Sequence, residues 1–251
     1  MFLAAHGERR AEGPGEGPGD RDDETPRDAR LLSLCDSVSD LLGGVETAPL
    51  LASDADATAR SLARAGARPV VVLPLLFSDG YFFTRLRAAL ETAGPAGAIR
   101  RLGEPMIRWP GFAAMLEDEI RRAAGAPSDL HLVLIAHGSK TPGGASAQSA
   151  RALAARLAPS FASVACGFLE EAPFAAEFVS AAPAPYGLAG LFLGEGLHGR
   201  DDFGALVEGA VRLPAFAFTA GALPGLARLI ADRARTELET LTGGRAGGPA
   251  A

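Results

Sequence analysis

Two apolar runs in this chain end in the same pair of residues. FLAA at 2–5 leads into His6 and Gly7, and LVLIA at 132–136 leads into His137 and Gly138. An imidazole at the mouth of a hydrophobic strand is an odd choice if packing were the only purpose. Finding it twice constrains the fold strongly: the chain should contain two similar units, each with a strand that delivers a histidine to its carboxyl end.

The rest of the sequence obeys that division. Short β-type runs alternate with helical patterns, which predicts parallel sheets wrapped by helices. Strands are expected at 2–5, 45–51, 70–76 and 98–103, then at 131–136, 163–169, 187–193 and 211–218. Helices are expected near 28–42, 54–66, 80–93 and 110–124, then near 145–158, 173–181, 201–209 and 223–241. The halves share local wording: LPLLFSDGYF (73–82) lines up with AGLFLGEGLH (189–198), and RWPGFAAMLEDEIRRA (108–123) with ALPGLARLIADRARTE (222–237). Gly80 follows His6 by 74 positions, and Gly196 follows His137 by 59. The excess is close to the length of an acidic Gly/Pro-rich stretch, AEGPGEGPGDRDDETP at 11–26, expected to be a mobile surface loop. The expected fold is α/β, with two similar lobes at 1–126 and 127–242, each a parallel sheet flanked by helices. A disordered tail is expected at 243–251.

Composition removes several function classes. A length of 251 residues accommodates two such lobes of about 120 residues. The net charge of −6, with no dense Lys/Arg block, argues against a nucleic-acid binder. The longest apolar stretch, VVVLPLLF at 70–77, is too short to span a bilayer. No basic segment precedes an apolar one at the N-terminus, so a cytoplasmic location is expected. Cys35 and Cys166 are isolated, without metal or disulfide spacing, and read as packing residues in a reducing compartment.

In an open parallel sheet, functional groups gather at the carboxyl ends of strands. Three strand ends of the second half carry suitable groups: His137 after LVLIA, Glu170 and Glu171 in VACGFLEEAP, and Glu195 and His198 in GLFLGEGLH. Each has a plainer role available, as a sheet-edge cap, a solvated helix start or a turn residue, and His131 at a strand start reads as structural. Together, two imidazoles and a carboxylate at one crevice suit a borderline divalent metal such as Co²⁺, Fe²⁺ or Ni²⁺, and an imidazole also accepts protons near neutral pH. The first half is an internal control. His6 is kept, but Phe82 stands at the position of His198, and the position of Glu170 falls near Ser53. The second lobe is therefore expected to hold the active site. The first would supply a wall, with Tyr81, Phe82 and Phe83 available to face a flat aromatic ligand or to pack in the core.

HGSK with a downstream R-x-L-A helix, GFLEEAPF and LFLGEGLHGRDDF together resemble the sirohydrochlorin chelatases of the cobaltochelatase/ferrochelatase family, in particular the long, duplicated CbiX-like members. The resemblance covers nearly the whole chain and is clearest at 131–241. It implies a two-lobed α/β lyase that inserts a divalent metal into a tetrapyrrole without ATP or an organic cofactor, in cobalamin or sirohaem biosynthesis. Carried over, His137 and His198 are metal-site and catalytic histidines, and Glu170 is the acidic residue beside them, with Glu171 open as the alternative. Co²⁺ is the first choice of metal, with Fe²⁺ or Ni²⁺ open. The substrate's rim of carboxylates needs positive partners, for which Lys140 and Arg200, with Arg9, Arg10 and Arg85, lie near strand ends. Tyr81 and Phe82 would line the substrate cleft. Many relatives hold two histidines in the first lobe as well, so Phe82 is a departure that leaves His6 as a remnant.

Two other functions fit parts of the pattern. A metal- or tetrapyrrole-binding protein derived from a chelatase, without turnover, is the closer one. A hydrolase or phosphatase built on His-Gly is the further one, because Ala5 and Ala136, not arginine, precede the histidines and no GxSxG or Walker A pattern occurs. The expected partner is a tetrapyrrole, with no nucleic acid or membrane, and the chain could act as a monomer or homo-oligomer.

Overall fold

The structure, a computed structural model, describes residues 1–6, 29–93, 95–125, 127–140, 144–193 and 202–243. In the first half, strands β1 (Phe2–Ala5), β2 (Ala48–Leu51), β3 (Val70–Pro74) and β4 (Arg100–Leu102) alternate with helices α1 (Ala29–Leu41), α2 (Ala55–Arg64), α3 (Tyr81–Thr92) and α4 (Pro110–Ala124). In the second, β5 (His131–Ala136), β6 (Ser163–Phe168), β7 (Tyr186–Gly190) and β8 (Ala217–Thr219) alternate with α5 (Ala145–Leu157), α6 (Ala175–Ala181), α7 (Phe203–Glu208) and α8 (Leu226–Gly243). Each set forms a four-stranded parallel sheet, in the orders β2-β1-β3-β4 and β6-β5-β7-β8. The two-lobed α/β architecture expected from the repeat is present.

Register makes the repeat exact to the residue. Leu3 pairs with Leu73 and Ala5 with Leu51, while Leu134 pairs with Ala189 and Ala136 with Phe168. With His6 set on His137, Leu73 therefore falls on Ala189, and Ser53 falls on Glu170. The backbone beyond the strands agrees. Ser53 N–H donates to the His6 carbonyl at 3.0 Å, and Glu170 N–H donates to the His137 carbonyl at 3.0 Å.

The inner strands β1, β3, β5 and β7 are buried on both faces, as parallel strands covered by helices are, while the edge strands are partly exposed. One alternate set of side chains (Leu3, Ala5, Val71, Leu73, Leu132, Leu134, Ala136) joins a single core with α1, α4, α5 and α8. The other set is covered separately in each lobe, by α2 and α3 over Ala4, Val70 and Val72, and by α6 and α7 over Val133, Ile135 and Leu188. The last helix of each half does not stay with its own half. α8 packs on α1 and β3 of the first lobe, and α4 packs on α5 of the second. Where α4 and α8 meet, the contact is reciprocal. A Cβ on Gly111 would meet Leu229, and one on Gly225 would meet Met115, its counterpart in the repeat. Such a contact is what an approximate twofold axis between equivalent helices produces.

Polar ties add to this shared core. The Arg156 guanidinium of α5 donates to the carbonyls of Ile107, Trp109 and Pro110 at 3.1–3.2 Å. Arg30 Nε donates to the Gly221 carbonyl at 2.8 Å. Buried Glu237 of α8 accepts from both Arg101 and Arg233, which balances its charge.

Some boundaries differ from the sequence pattern. β2 starts at Ala48 rather than 45, and β3 and β7 end at Pro74 and Gly190, handing their last expected residues to the loops at the carboxyl edge. The largest difference is β8, expected over 211–218 and found only at Ala217–Thr219. Pro214 carries no N–H for a ladder, and β7 offers a backbone partner only from Ala215 onward. Val211 and Leu213 consequently lie in irregular chain, 78% and 89% exposed. The expected acidic loop at 11–26 and the tail beyond Gly243 lie outside the described residues. Among the described residues, no helix is long and apolar enough to cross a membrane.

Candidate metal and tetrapyrrole site

His137 follows the last residue of β5, and Glu170 stands two residues past the end of β6, the neighbouring strand. Both side chains reach solvent in part, 39% and 32% exposed, and His137 Nδ1 lies 3.7 Å from Glu170 Oε2. That gap exceeds a hydrogen bond, but two metal–ligand bonds of about 2.0–2.2 Å span it at an open angle.

The residue after the histidine explains the His-Gly pairing. Gly138 sits at φ +79°, and a Cβ there would lie 3.0 Å from Phe168 Cβ, 3.1 Å from Glu171 Cγ and 3.3 Å from Glu171 Oε1. Both the left-handed backbone and the crowding require glycine. The Gly138 N–H donates to Ser146 Oγ at 3.2 Å, tying the turn to the first residues of α5. Sequence reasoning did not single out Ser146.

The two adjacent glutamates point to different places. Glu171 is buried, 4% exposed, and packs beneath the Gly138 turn. Glu170 faces His137 and an open cleft of about 370 Å³ that it lines with Leu169, Asp202, Ala205 and Leu206. Asp202 was also not singled out, although it belongs to the LFLGEGLHGRDDF stretch, which flagged this region. Lys140 is exposed, three residues beyond His137. His198, Arg200 and Glu195 lie outside the described residues, as do Arg9 and Arg10. Among the described residues, no group of three or more His, Cys, Asp or Glu side chains is gathered for a metal ion.

The first lobe's matching corner is aromatic. His6 at the end of β1 stands edge-on to Phe82, with ring centroids 4.1 Å apart and planes at 89°. Phe82 in turn meets Tyr81 edge-on at 5.2 Å. Tyr81 is 67% exposed, while Phe83 is buried and belongs to the core. The turn that carries these rings touches the second lobe: a Cβ on Gly80 would lie 3.3 Å from Ala145 Cβ, next to Ser146. Both corners therefore open on the same edge of the molecule. His131, by contrast, starts β5 at the opposite edge, where its Nδ1 bonds Ser163 Oγ at 2.7 Å. Burial pushes the Cys35 thiol up to about 12 and the Cys166 thiol up to about 11, so neither supplies a thiolate at neutral pH.

No family model and no curated protein matches the chain. Solved structures do. CbiX, described as the terminal enzyme for biosynthesis of siroheme in denitrifying bacteria, matches with a TM-score of 0.68 at 27% identity, over 94% of this chain and 97% of that one. SirB from Bacillus subtilis, solved with Fe³⁺, matches with a TM-score of 0.63 at 12% identity, over 98% and 96% of the two chains. DR2241 from Deinococcus radiodurans, a multi-domain protein with structural similarity to chelatases, matches with a TM-score of 0.59 at 17% identity, over 92% of this chain and 53% of that one. The last two likenesses speak for the fold. The duplicated sheets and the end-to-end match make this chain similar to CbiX, and its three motifs resemble those of the CbiX-like chelatases.

Proposed function

We propose that the protein is a lyase that inserts a divalent metal, Co²⁺ first and Fe²⁺ or Ni²⁺ as alternatives, into sirohydrochlorin or a related tetrapyrrole on the route to siroheme or cobalamin. The observation that carries the reading is the His137–Glu170 pair at the carboxyl ends of adjacent strands in a CbiX-like fold. His198 completes the proposed ligand set. It lies outside the described residues, and its place is supported by the repeat, in which the equivalent residue, Phe82, stands against His6.

Metal insertion removes two pyrrole N–H protons and moves the ion from water to the macrocycle. In the proposed mechanism His137, His198 and Glu170 hold the partly dehydrated ion on one face of the ring. An imidazole has the basicity to take a pyrrole proton at neutral pH, and His137, open to solvent on one side, can pass it on. Glu170 offsets the charge of the ion as its water leaves. Lys140 and Arg200 meet rim carboxylates, and Tyr81 and Phe82 form the wall of the cleft. The two lobes are proposed to run from 1 to 126 and from 127 to 242.

The test is direct. Purified protein with sirohydrochlorin and each of Co²⁺, Fe²⁺ and Ni²⁺ should change the pigment's absorption spectrum faster than the protein-free control, with one metal preferred. Rates equal to the control for all three metals would refute turnover and leave a carrier.

A further inference from the structure

We propose that Tyr81 and Arg85, one turn apart on α3 of the first lobe, form a preformed recognition unit for a rim carboxylate of a planar, polycarboxylated tetrapyrrole. On this view the first lobe is not only a wall. It selects the ligand by its acid groups, while the second lobe holds the metal. The inference rests on the chelatase reading and deepens it.

Three observations carry it. First, Tyr81 is a large aromatic side chain left 67% exposed, and its ring has a packing partner. Phe82 braces it edge-on at 5.2 Å, and Phe82 is braced in turn by His6 at 4.1 Å. Second, the Arg85 guanidinium lies over the same ring, 5.3 Å from its centroid, with Nη1 3.4 Å from the Tyr81 hydroxyl. A guanidinium held over an aromatic face, with one N–H directed at the Tyr81 hydroxyl, still has its remaining N–H groups for a carboxylate and loses less rotational freedom on binding one. Third, the carboxylate nearest in sequence, Asp79, is already committed to Arg108 across the same turn, which removes a local repulsion against an anionic ligand. The turn abuts Ala145 of the second lobe, and Ser146 holds the Gly138 turn beside His137, so the unit borders the proposed metal corner.

Phe82 has a second part in this arrangement. At the position equivalent to His198 it puts a ring edge, not a ligand, against His6. The first-lobe corner is thereby converted from a metal-type site into a continuous row of His6, Phe82, Tyr81 and Arg85. Planar ligands gain from ring faces, and acidic ligands gain from the guanidinium.

The test uses metal-free binding, followed by porphyrin absorbance and fluorescence, with uroporphyrin (an octacarboxylate) and coproporphyrin (a tetracarboxylate) as probes beside sirohydrochlorin. Arg85→Gln should weaken uroporphyrin binding about tenfold or more, the scale of one charge-assisted hydrogen bond, and weaken coproporphyrin less. Tyr81→Phe should stay within about threefold, since the ring face remains, and Tyr81→Ala should lose more. The double variant should cost less than the product of the two single losses, because Arg85 depends on the ring that positions it. Co²⁺ binding alone should be unchanged in every variant, and in turnover KM should rise while kcat holds. Arg85→Gln within twofold of the parent protein for uroporphyrin would overturn the proposal, with circular dichroism confirming an unaltered fold. If the parent protein binds pigment but never inserts metal, the chelatase reading falls and the recognition unit stands. If insertion proceeds and Arg85→Gln leaves KM unmoved, the unit alone falls. If the parent protein binds none of the three pigments, both fall.

Discussion

Gly138→Ala is the smallest change that should disturb both stability and site, because it adds one carbon to the turn behind His137. Two penalties add. An alanine at φ +79° carries left-handed strain of about 1–2 kcal/mol. The new methyl would also lie 3.0 Å from Phe168 Cβ and 3.1 Å from Glu171 Cγ. Phe168 is fully buried at the end of β6 and cannot retreat, so overpacking costs about 1–3 kcal/mol more. The expected loss is about 2–5 kcal/mol, or a Tm lower by roughly 5–15 °C for a chain of this size. Gly66→Ala is the control. It has φ +59° with nothing within 4 Å of the added carbon, so only the strain remains, about 1–2 kcal/mol. Urea unfolding of both variants separates the contributions. A Gly138→Ala loss no larger than that of Gly66→Ala would refute the argument that the Phe168–Glu171 packing, and not the backbone angle alone, demands glycine. Because Gly138 and Glu171 are the chain neighbours of His137 and Glu170, Gly138→Ala should also lower kcat at a temperature where the protein is still folded.

Alanine variants of His137 and His198 should lose most of their metal-insertion rate in the pigment assay, whereas His6→Ala should lose little; equal losses for all three would move the chemistry to a corner shared by the lobes. Glu170→Gln should weaken Co²⁺ binding in a metal titration while leaving Tm nearly unchanged, and Glu171→Leu, which alters the buried carboxylate, should act through Tm. Phe82→His would set a second imidazole against His6, whose ring centroid is 4.1 Å away, and should raise Co²⁺ stoichiometry from one to two per chain; an unchanged stoichiometry would show that the first lobe lacks more than this one ligand. Burial raises the Cys35 and Cys166 thiols to about 12 and about 11, against about 8.5 in an unfolded chain. The unfolded state then binds fewer protons than the folded one above about pH 8.5, so this stability is complete below that pH and is lost as pH rises toward 11–12. The urea midpoint should fall through this range, and fall less steeply in Cys35→Val/Cys166→Val.

The pattern of residues was enough for the architecture because it rests on local and repeated signals. Apolar runs of strand length, helical periodicity between them and two copies of one wording specify parallel sheets in two lobes whatever the details of docking. The same wording named the strand ends at which the site is proposed, and the observed register puts Ser53 at the position of Glu170 in the repeat, as the alignment of the halves implied. Pairing with a neighbour is a different kind of information. The run VRLPAF at 211–216 reads as a strand, yet the first half of it finds no backbone ladder partner on β7, where only the Tyr186 hydroxyl reaches the Arg212 carbonyl, and it stays irregular with Val211 and Leu213 in solvent. Which of two adjacent glutamates faces His137 depends on the turn geometry past β6, where Glu171 is drawn under Gly138 and Glu170 is left at the cleft. The exchange of α4 and α8 between lobes was likewise invisible, because each helix is amphipathic and its periodicity does not name the surface it covers; contacts far apart in sequence hold the crossed arrangement, among them α8 on α1 and β3, the Arg101–Glu237 pair and the close approach at Gly111 and Gly225. Periodicity along a chain says which face of an element is buried, and long-range packing decides against what.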